Sequence, residues 1–342
     1  MKELFIKDLQ KNLIITGEIF VICDVEILDD KYGKQYANLT LGDKTGKIAA
    51  KMWSDKLDAT DRRILKAGNL INVSGKIDEF KASLQVNISY VEKVESEDMS
   101  DYLLSSLYDA NEMYNEVIGY AEKIERKDLK KVILKILKDK DIEQKFKYWP
   151  AAETVHHAFR SGLIQHVLEM LSIMDSMKRF YPTADFDILT AGIILHDIGK
   201  TDELMFSGIT TDYTKLGQLV GHIVRGSQIF TEFGGKELDE DVYLHVMHLI
   251  LSHHGKQEYG SPIVPATLEG LILTNIDNLS AKARTADAAT ATISDDQDFT
   301  GRNFFLEGAK IWKGTNGKKE SAKTSEDDLT DSTSSLEEPS LF

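Results

Sequence analysis

From residue 12 to 94 the chain alternates apolar and polar positions. ANLTLGD (37–43) sets Ala37, Leu39 and Leu41 against Asn38 and Thr40. KIAAKMW (47–53) sets Ile48, Ala50 and Met52 against Lys47, Lys51 and Trp53. NLINVSGKI (69–77) and SLQVNISYV (83–91) repeat the period of two, which marks half-buried strands. GDKTGK (42–47) reads as a hairpin turn, and SDKLDATDRRILKAGN (54–69) as a polar link with a short helical patch. From about residue 96 the apolar spacing becomes three and four. DYLLSSLYDANEMYNEVIGYAEKI (101–124) and KKVILKILKDK (130–140) read as amphipathic helices with solvated charged faces. YWP (148–150) breaks the pattern, and helical spacing resumes beyond it. From 315 the chain is rich in Ser, Thr and acids and nearly free of bulky residues, which predicts a disordered acidic tail over 315–342.

Three strands, a helix-containing link and two more strands is the order of a five-stranded OB barrel. The predicted organisation is therefore multidomain. An all-β OB barrel (1–95) leads into a helical connector (96–150) and then an all-α domain (151–314). In the barrel Tyr36, Lys47, Lys51 and Trp53 point away from the core. Bases stack on aromatic rings and phosphates pair with lysines, so this face suits a single-stranded nucleic acid. Packing of Trp53 under the helical link, with the lysines merely solvated, would fit the same pattern.

Length and charge refine this picture. At 342 residues the chain is long enough for two or more domains. Its single cysteine, Cys23, excludes a disulfide framework within the chain and fits a reducing, cytoplasmic setting. Cys23 lies in the alternation Val21, Cys23, Val25, Ile27, which reads as a small buried hydrophobe. No signal peptide and no bilayer-length apolar stretch is evident. The net charge of −15 argues against a generic basic nucleic-acid binder. The charge is uneven, however. Residues 1–95 hold 15 basic and 15 acidic side chains, whereas 320–342 hold one lysine against seven acids.

The chemistry centres on DILTAGIILHDIGK (187–200), apolar almost all round until His196 and Asp197. An unpartnered charge is costly in such a setting. A helix cap would explain the dipeptide alone. Other segments offer more. His166 lies in SGLIQHVLEMLSIM and His222 in GQLVGHIVRGSQIF, each on its segment's apolar side. His253 and His254 end DVYLHVMHLILSHHG, with Gly255 as the expected C-cap. Asp277 edges the apolar face of LEGLILTNIDNLSAK. These positions are separated by 29, 24, 30 and 22 residues, each about one helical hairpin, so the helix ends can converge. Imidazole with carboxylate suits Mn, Fe, Zn or Co rather than Ca. His245 and His248 are read as packing between helices.

This ordered set resembles the HD-domain metal-dependent phosphohydrolases. The resemblance implies that His166, His196, Asp197 and Asp277 hold one metal ion. It implies that His222 and either His253 or His254 hold a second, with Asp197 bridging. Lys200 is similar to the lysine often found after the pair and would meet a substrate phosphate or the attacking hydroxide. A C-terminal dipole partner is the plainer reading of Lys200. The preceding OB barrel narrows the resemblance, as do HHAFRSGLIQHVLEML (156–171), SHHGKQEYGSP (252–262) and IDNLSAK (276–282). Over about residues 12–312 the chain resembles the YhaM-type 3′–5′ exoribonucleases. NID (275–277) departs from the more usual alanine-aspartate, and the acidic tail lies outside the resemblance. The resemblance implies a two-metal, Mn-dependent exonuclease that releases nucleoside 5′-monophosphates from single-stranded RNA. Single-stranded DNA as a further substrate and a homo-oligomeric state are both left open. His157, near the first ligand, is the expected proton donor to the leaving oxygen, and orienting the domain entry is its alternative role. Two rival readings stand beside this one: an HD phosphohydrolase of nucleotides or cyclic dinucleotides, and a non-catalytic OB single-strand-binding replication factor.

Overall fold

A computed structural model of the chain describes residues 2–80, 83–95, 101–153, 157–207, 210–291, 293 and 297–315. Apart from its first residue, Thr315, the expected acidic tail lies outside the described residues, as does His156. The N-terminal unit is a closed barrel in the order β1-β2-β3-β5-β4. Its strands are β1 (Ile14–Asp29), β2 (Gln35–Asp43), β3 (Gly46–Met52), β4 (Leu70–Phe80) and β5 (Ser83–Val94). All pairs are antiparallel except β3 with β5, which run parallel and close the barrel. The link between β3 and β4 carries the one-turn helix α1 (Ser54–Leu57) and a 3-10 turn at Arg62–Ile64, as the polar stretch predicted. Ala37, Leu39, Leu41, Ile48, Ala50 and Met52 fill the barrel as their alternation required.

Strand β1 departs from the alternation expected of it. Phe20, Val21 and Ile22 are all fully buried, Cys23 is only half-buried, and Ile27 is exposed. A bulge between Ile22 and Asp24 shifts the register. An extra residue in one strand reverses which side faces in, so alternation along Val21–Ile27 does not mark the core.

The rest is helical around a second core. It comprises α2 (Ala110–Glu122), α3 (Lys127–Leu137), α4 (Lys140–Tyr148), α5 (Gly162–Met177), α6 (Phe186–Leu195) and α7 (Lys200–Glu203). After the hairpin β6 (Leu204–Ser207) and β7 (Thr210–Tyr213) come α8 (Lys215–Leu219), α9 (His222–Gly234), α10 (Glu240–Ser252) and α11 (Leu268–Thr290). The connector starts later than its spacing suggested. Asp109 caps α2 by accepting from the Asn111 and Glu112 amides. Before it, Leu104 and Ser106 bond the Arg160 backbone at 2.8 and 2.9 Å. Lys44 N bonds Asp101 O at 2.9 Å. Residues 101–106 thus pair with the barrel on one side and the helical domain on the other, so their apolar residues serve extended contacts rather than a helix face.

Candidate metal centre

The HD pair sits just past α6, not within it. His196 is the C-cap of that helix, and residues 196–199 form a turn that hands the chain to α7. Gly199 allows the turn to press against the start of α9: a Cβ there would lie 2.0 Å from the His222 carbonyl oxygen. The segment GQLVGHIVRGSQIF, with His222 on its apolar side, is not one helix. Gly221, at φ +79°, breaks it. Leu219 is exposed at the end of α8, while His222 opens α9 and faces the turn. Only glycine takes that backbone conformation without strain, and the break frees His222 to aim independently of α8.

The convergence expected of the other residues is present. His166 Nε2 lies 3.2 Å from Asp277 Oδ1 and 3.9 Å from Asp197 Oδ2. His196 Nε2 lies 3.3 Å from Asp197 Oδ2. On the other side of the carboxylate, His222 Nε2 and His253 Nε2 stand 3.6 and 3.7 Å from Asp197 Oδ1. Ligand atoms of His166, His196 and Asp197 fall within 4.8 Å of one another, as do those of His222, His253 and His254. Asp197 therefore faces both groups with different oxygens, and both adjacent histidines, His253 and His254, reach the second. Lys200 places Nζ 2.7 Å from Asp197 Oδ2.

The opposite ring nitrogens decide what these imidazoles can do. His196 Nδ1 is 2.8 Å from Ile193 O, His253 Nδ1 is 2.7 Å from Ile250 O, and His254 Nδ1 is 2.9 Å from Tyr259 O. A carbonyl only accepts, so each Nδ1 carries the proton and each Nε2 presents a lone pair. His222 is fixed by Glu203, whose Oε1 accepts from both its amide (2.9 Å) and its Nδ1 (3.0 Å). The buried His196 Nε2, His222 Nε2, His253 Nε2 and Asp197 Oδ1 have no hydrogen-bond partner among the described residues. Leaving four such atoms unmade is costly in a core, and a divalent cation at each group would satisfy them. The donor set, mixed imidazole and carboxylate, fits a first-row metal.

The electrostatics agree. Burial would raise the Asp197 carboxyl, but Lys200, His196 and His222 outweigh it and hold Asp197 well below the usual carboxylate range. Asp277 is likewise held low against its burial, by His166 and His196. Burial drives His253 and His254 down, so both stay neutral and able to ligate. His196 goes the other way. Burial opposes its protonation, yet Asp197 and Asp277 raise it.

Several expected residues lie elsewhere. His157 turns its Nε2 onto Glu169 Oε2 at 3.1 Å, with its ring 5.2 Å from that of His166. His245 Nε2 meets Glu269 Oε2 at 3.1 Å, and His248 Nε2 accepts the Ala266 amide at 2.9 Å, so both are engaged outside the centre. On the barrel, Tyr36 and Trp53 pair at 5.6 Å, and Lys51 Nζ sits 4.4 and 4.5 Å above the two rings. Trp53 stays 47 % exposed, so it presents a face rather than packing under the link. Lys47 is exposed on the same side of β3, four residues away, beside a cleft it lines with Arg160. Sequence reading missed Glu203, Glu169, Ser280 and Arg284. Glu169 follows His166 by three residues, and Asp277, Ser280 and Arg284 are spaced three and four apart. Helical spacing could have placed each on the ligand-bearing face. For Glu203 no sequence signal exists, because only the α7–α9 contact brings it to His222.

Comparison with known proteins supports both halves. Residues 163–282 match the HD domain family model, and 14–94 match the model of an OB-fold nucleic acid binding domain. The chain is 36% identical over 290 residues to the 3′-5′ exoribonuclease YhaM of Shouchella clausii, covering 84% of this chain and 89% of that one. It is 35% identical over 288 residues to the protein of that name from Bacillus subtilis, covering 83% and 90%. Among solved structures, a domain of replication protein A from Methanococcus maripaludis aligns with 27% of this chain and 96% of its own. Identity there is 22% and the TM-score 0.23.

Proposed function

This chain belongs to the YhaM 3′–5′ exoribonuclease family, and on that premise we propose that it hydrolyses single-stranded RNA one nucleotide at a time from the 3′ end. The observation that carries the reading is the set of Nε2 atoms of His196, His222 and His253 with Asp197 Oδ1, which meet no hydrogen-bond partner among the described residues. Residues His166, His196, Asp197 and Asp277 would hold one divalent cation, and His222, His253 and His254, with Asp197 shared, a second. Manganese is the ion we assign, with iron, cobalt and zinc as alternatives. When bound, such ions supply Lewis-acid activation of water and of the phosphodiester near neutral pH.

The chain's own groups do the rest. Lys200, fixed 2.7 Å from Asp197, sets an ammonium where negative charge develops on the phosphate's non-bridging oxygens. Water adds to phosphorus and the P–O3′ bond breaks. The last nucleotide leaves as a 5′-monophosphate, and the penultimate one keeps a 3′-hydroxyl. The Tyr36–Trp53 pair under Lys51 offers bases a stacking surface and phosphates a cation. No helix among the described residues is long and apolar enough to cross a membrane.

The test is hydrolysis of 5′-labelled RNA, and of DNA of the same sequence, by metal-stripped protein with and without Mn²⁺. A metal-dependent ladder shortening from the 3′ end is expected, and the DNA lane reads sugar preference. Asp197→Ala should abolish the ladder while gel-shift binding survives. Full hydrolysis by that variant would overturn the metal assignment. Intact RNA with a retained shift would instead indicate a binding protein, and intact RNA with no shift a nucleotide phosphohydrolase.

A further inference from the structure

Behind the first group of ligands lies a polar cluster to which the proposed chemistry gives no part. Its centre is Glu169 on α5, three residues from His166. Ser280 of α11 donates to Glu169 Oε2 at 3.0 Å, and the same Ser280 Oγ lies 3.0 Å from His166 Nδ1. With its proton committed to Glu169, the Ser280 hydroxyl can only accept from His166. That forces the proton onto His166 Nδ1 and the lone pair onto Nε2, 3.2 Å from Asp277. His196, His253 and His254 are fixed by backbone carbonyls and His222 by a direct carboxylate. Among the described residues, the His166 contact is the one that runs through a side-chain relay.

We infer that Glu169 is a positioning residue for the first metal ion, acting on His166 through Ser280, and that His157 belongs to this relay rather than to proton transfer. The inference rests on the metal reading above. Glu169 is itself held from three further sides. Oε2 takes His157 Nε2 at 3.1 Å, and Oε1 takes Gln165 Nε2 at 2.9 Å together with the Arg284 guanidinium. Its carboxylate is thus fixed in charge and place. His157 is buried and sits at φ +55°, in the left-handed region, with Gly162 packed against its carbonyl oxygen. A non-glycine residue held there is strained and persists where the surroundings over-determine it. Here the conformation delivers its Nε2 to Glu169. Carboxylates that orient ligating histidines raise metal affinity, and losing one costs about 10- to 100-fold.

One wall of the relay is open to solvent. Gln165, Glu169, Ser280 and Arg284 line a cavity of about 630 Å³ whose other walls include Leu168 and Leu279. A small carboxylate can therefore reach the place Glu169 would vacate, and this makes chemical rescue feasible.

The experiment is Mn²⁺ binding to the metal-stripped full-length chain by titration calorimetry, with apo-protein thermal unfolding recorded for each variant. Ser280→Ala breaks the relay and leaves the Glu169–Arg284 pair intact. Glu169→Gln keeps the shape and removes the charge. Each should weaken the His166 group's affinity about 10- to 100-fold, and the double variant should be little worse than either single one, because both cut one path. Glu169→Ala should regain affinity in added formate, whereas Glu203→Gln should not respond to formate. If Ser280→Ala and Glu169→Gln both fold and bind Mn²⁺ within twofold of wild type, the inference is wrong. Failure of the wild-type chain to bind any of Mn²⁺, Fe²⁺, Co²⁺ and Zn²⁺ would overturn the metal reading itself, a separate result.

Discussion

Replacing Gly199 by alanine tests how the turn carrying the HD pair is welded to α9. Gly199 has helical backbone angles, φ −63° and ψ −20°, so alanine meets no conformational penalty. The cost is steric. The new Cβ would stand 2.0 Å from the His222 carbonyl oxygen and 2.7 Å from the Gly226 nitrogen, where real Cβ contacts essentially never fall below 3.0 Å. Both neighbours are backbone, so no side-chain rotation relieves the clash. The turn and α9 must part by about 1 Å, and α9 is anchored by the buried Ile229 and Phe230. Overpacking of this kind costs about 1–3 kcal/mol, a sizeable share of a total stability of roughly 5–15 kcal/mol. The functional cost falls on the metal centre. Metal–ligand distances tolerate about 0.2 Å, so parting the turn from α9 by about 1 Å separates His222 from Asp197 and breaks up the second group. His166 and Asp277 ride on neither element, whereas His196 and Asp197 lie on the turn itself. Metal content per chain, apo-protein melting and RNA hydrolysis would be measured together. The expected result is a helical domain melting a few degrees lower, depleted in bound metal, most of all at the His222 group, and nearly inactive. Wild-type melting together with wild-type metal content would refute the argument.

Three further outcomes follow from the same geometry. Glu203→Gln should weaken metal binding at the His222 group about 10- to 100-fold, because Oε1 fixes both the amide and Nδ1 of His222; competitive titration with a chelator reads it. Trp53→Ala should weaken single-stranded RNA binding by about 1–3 kcal/mol yet leave hydrolysis of bis-p-nitrophenyl phosphate unchanged, since that small diester reaches the centre without the barrel. Mn²⁺ affinity should rise with pH. Asp197 and Asp277 raise His196 above its usual value near 6.5 despite its burial. Below that raised value a proton occupies the imidazole and must leave for a cation to bind. Calorimetry at pH 6, 7 and 8 in buffers of different ionisation heat should show proton release that shrinks as pH rises, and pH-independent binding would contradict it.

Much of this protein was legible as pattern. The period of two in residues 37–52 placed Ala37, Leu39, Leu41, Ile48, Ala50 and Met52 inside the barrel and Lys51 and Trp53 outside. Side-chain alternation on a strand is local geometry, so it shows in the residues themselves. The candidate ligands were legible because polar residues recurred on otherwise apolar segments, where burial demands a partner. What escaped depends on contacts between distant segments. A single bulge at Ile22/Asp24 reverses which residues of β1 face in. Residues 101–106 leave the helical pattern because the barrel and the Arg160 loop both supply backbone partners. Gly221 divides an apparently continuous helix so that His222 can face the turn. Glu203 and Ser280 reach His222 and His166 only when α7 meets α9 and α5 meets α11. Periodicity reports which side of an element is buried; which atoms meet there, and at what distance, is fixed only when the elements pack.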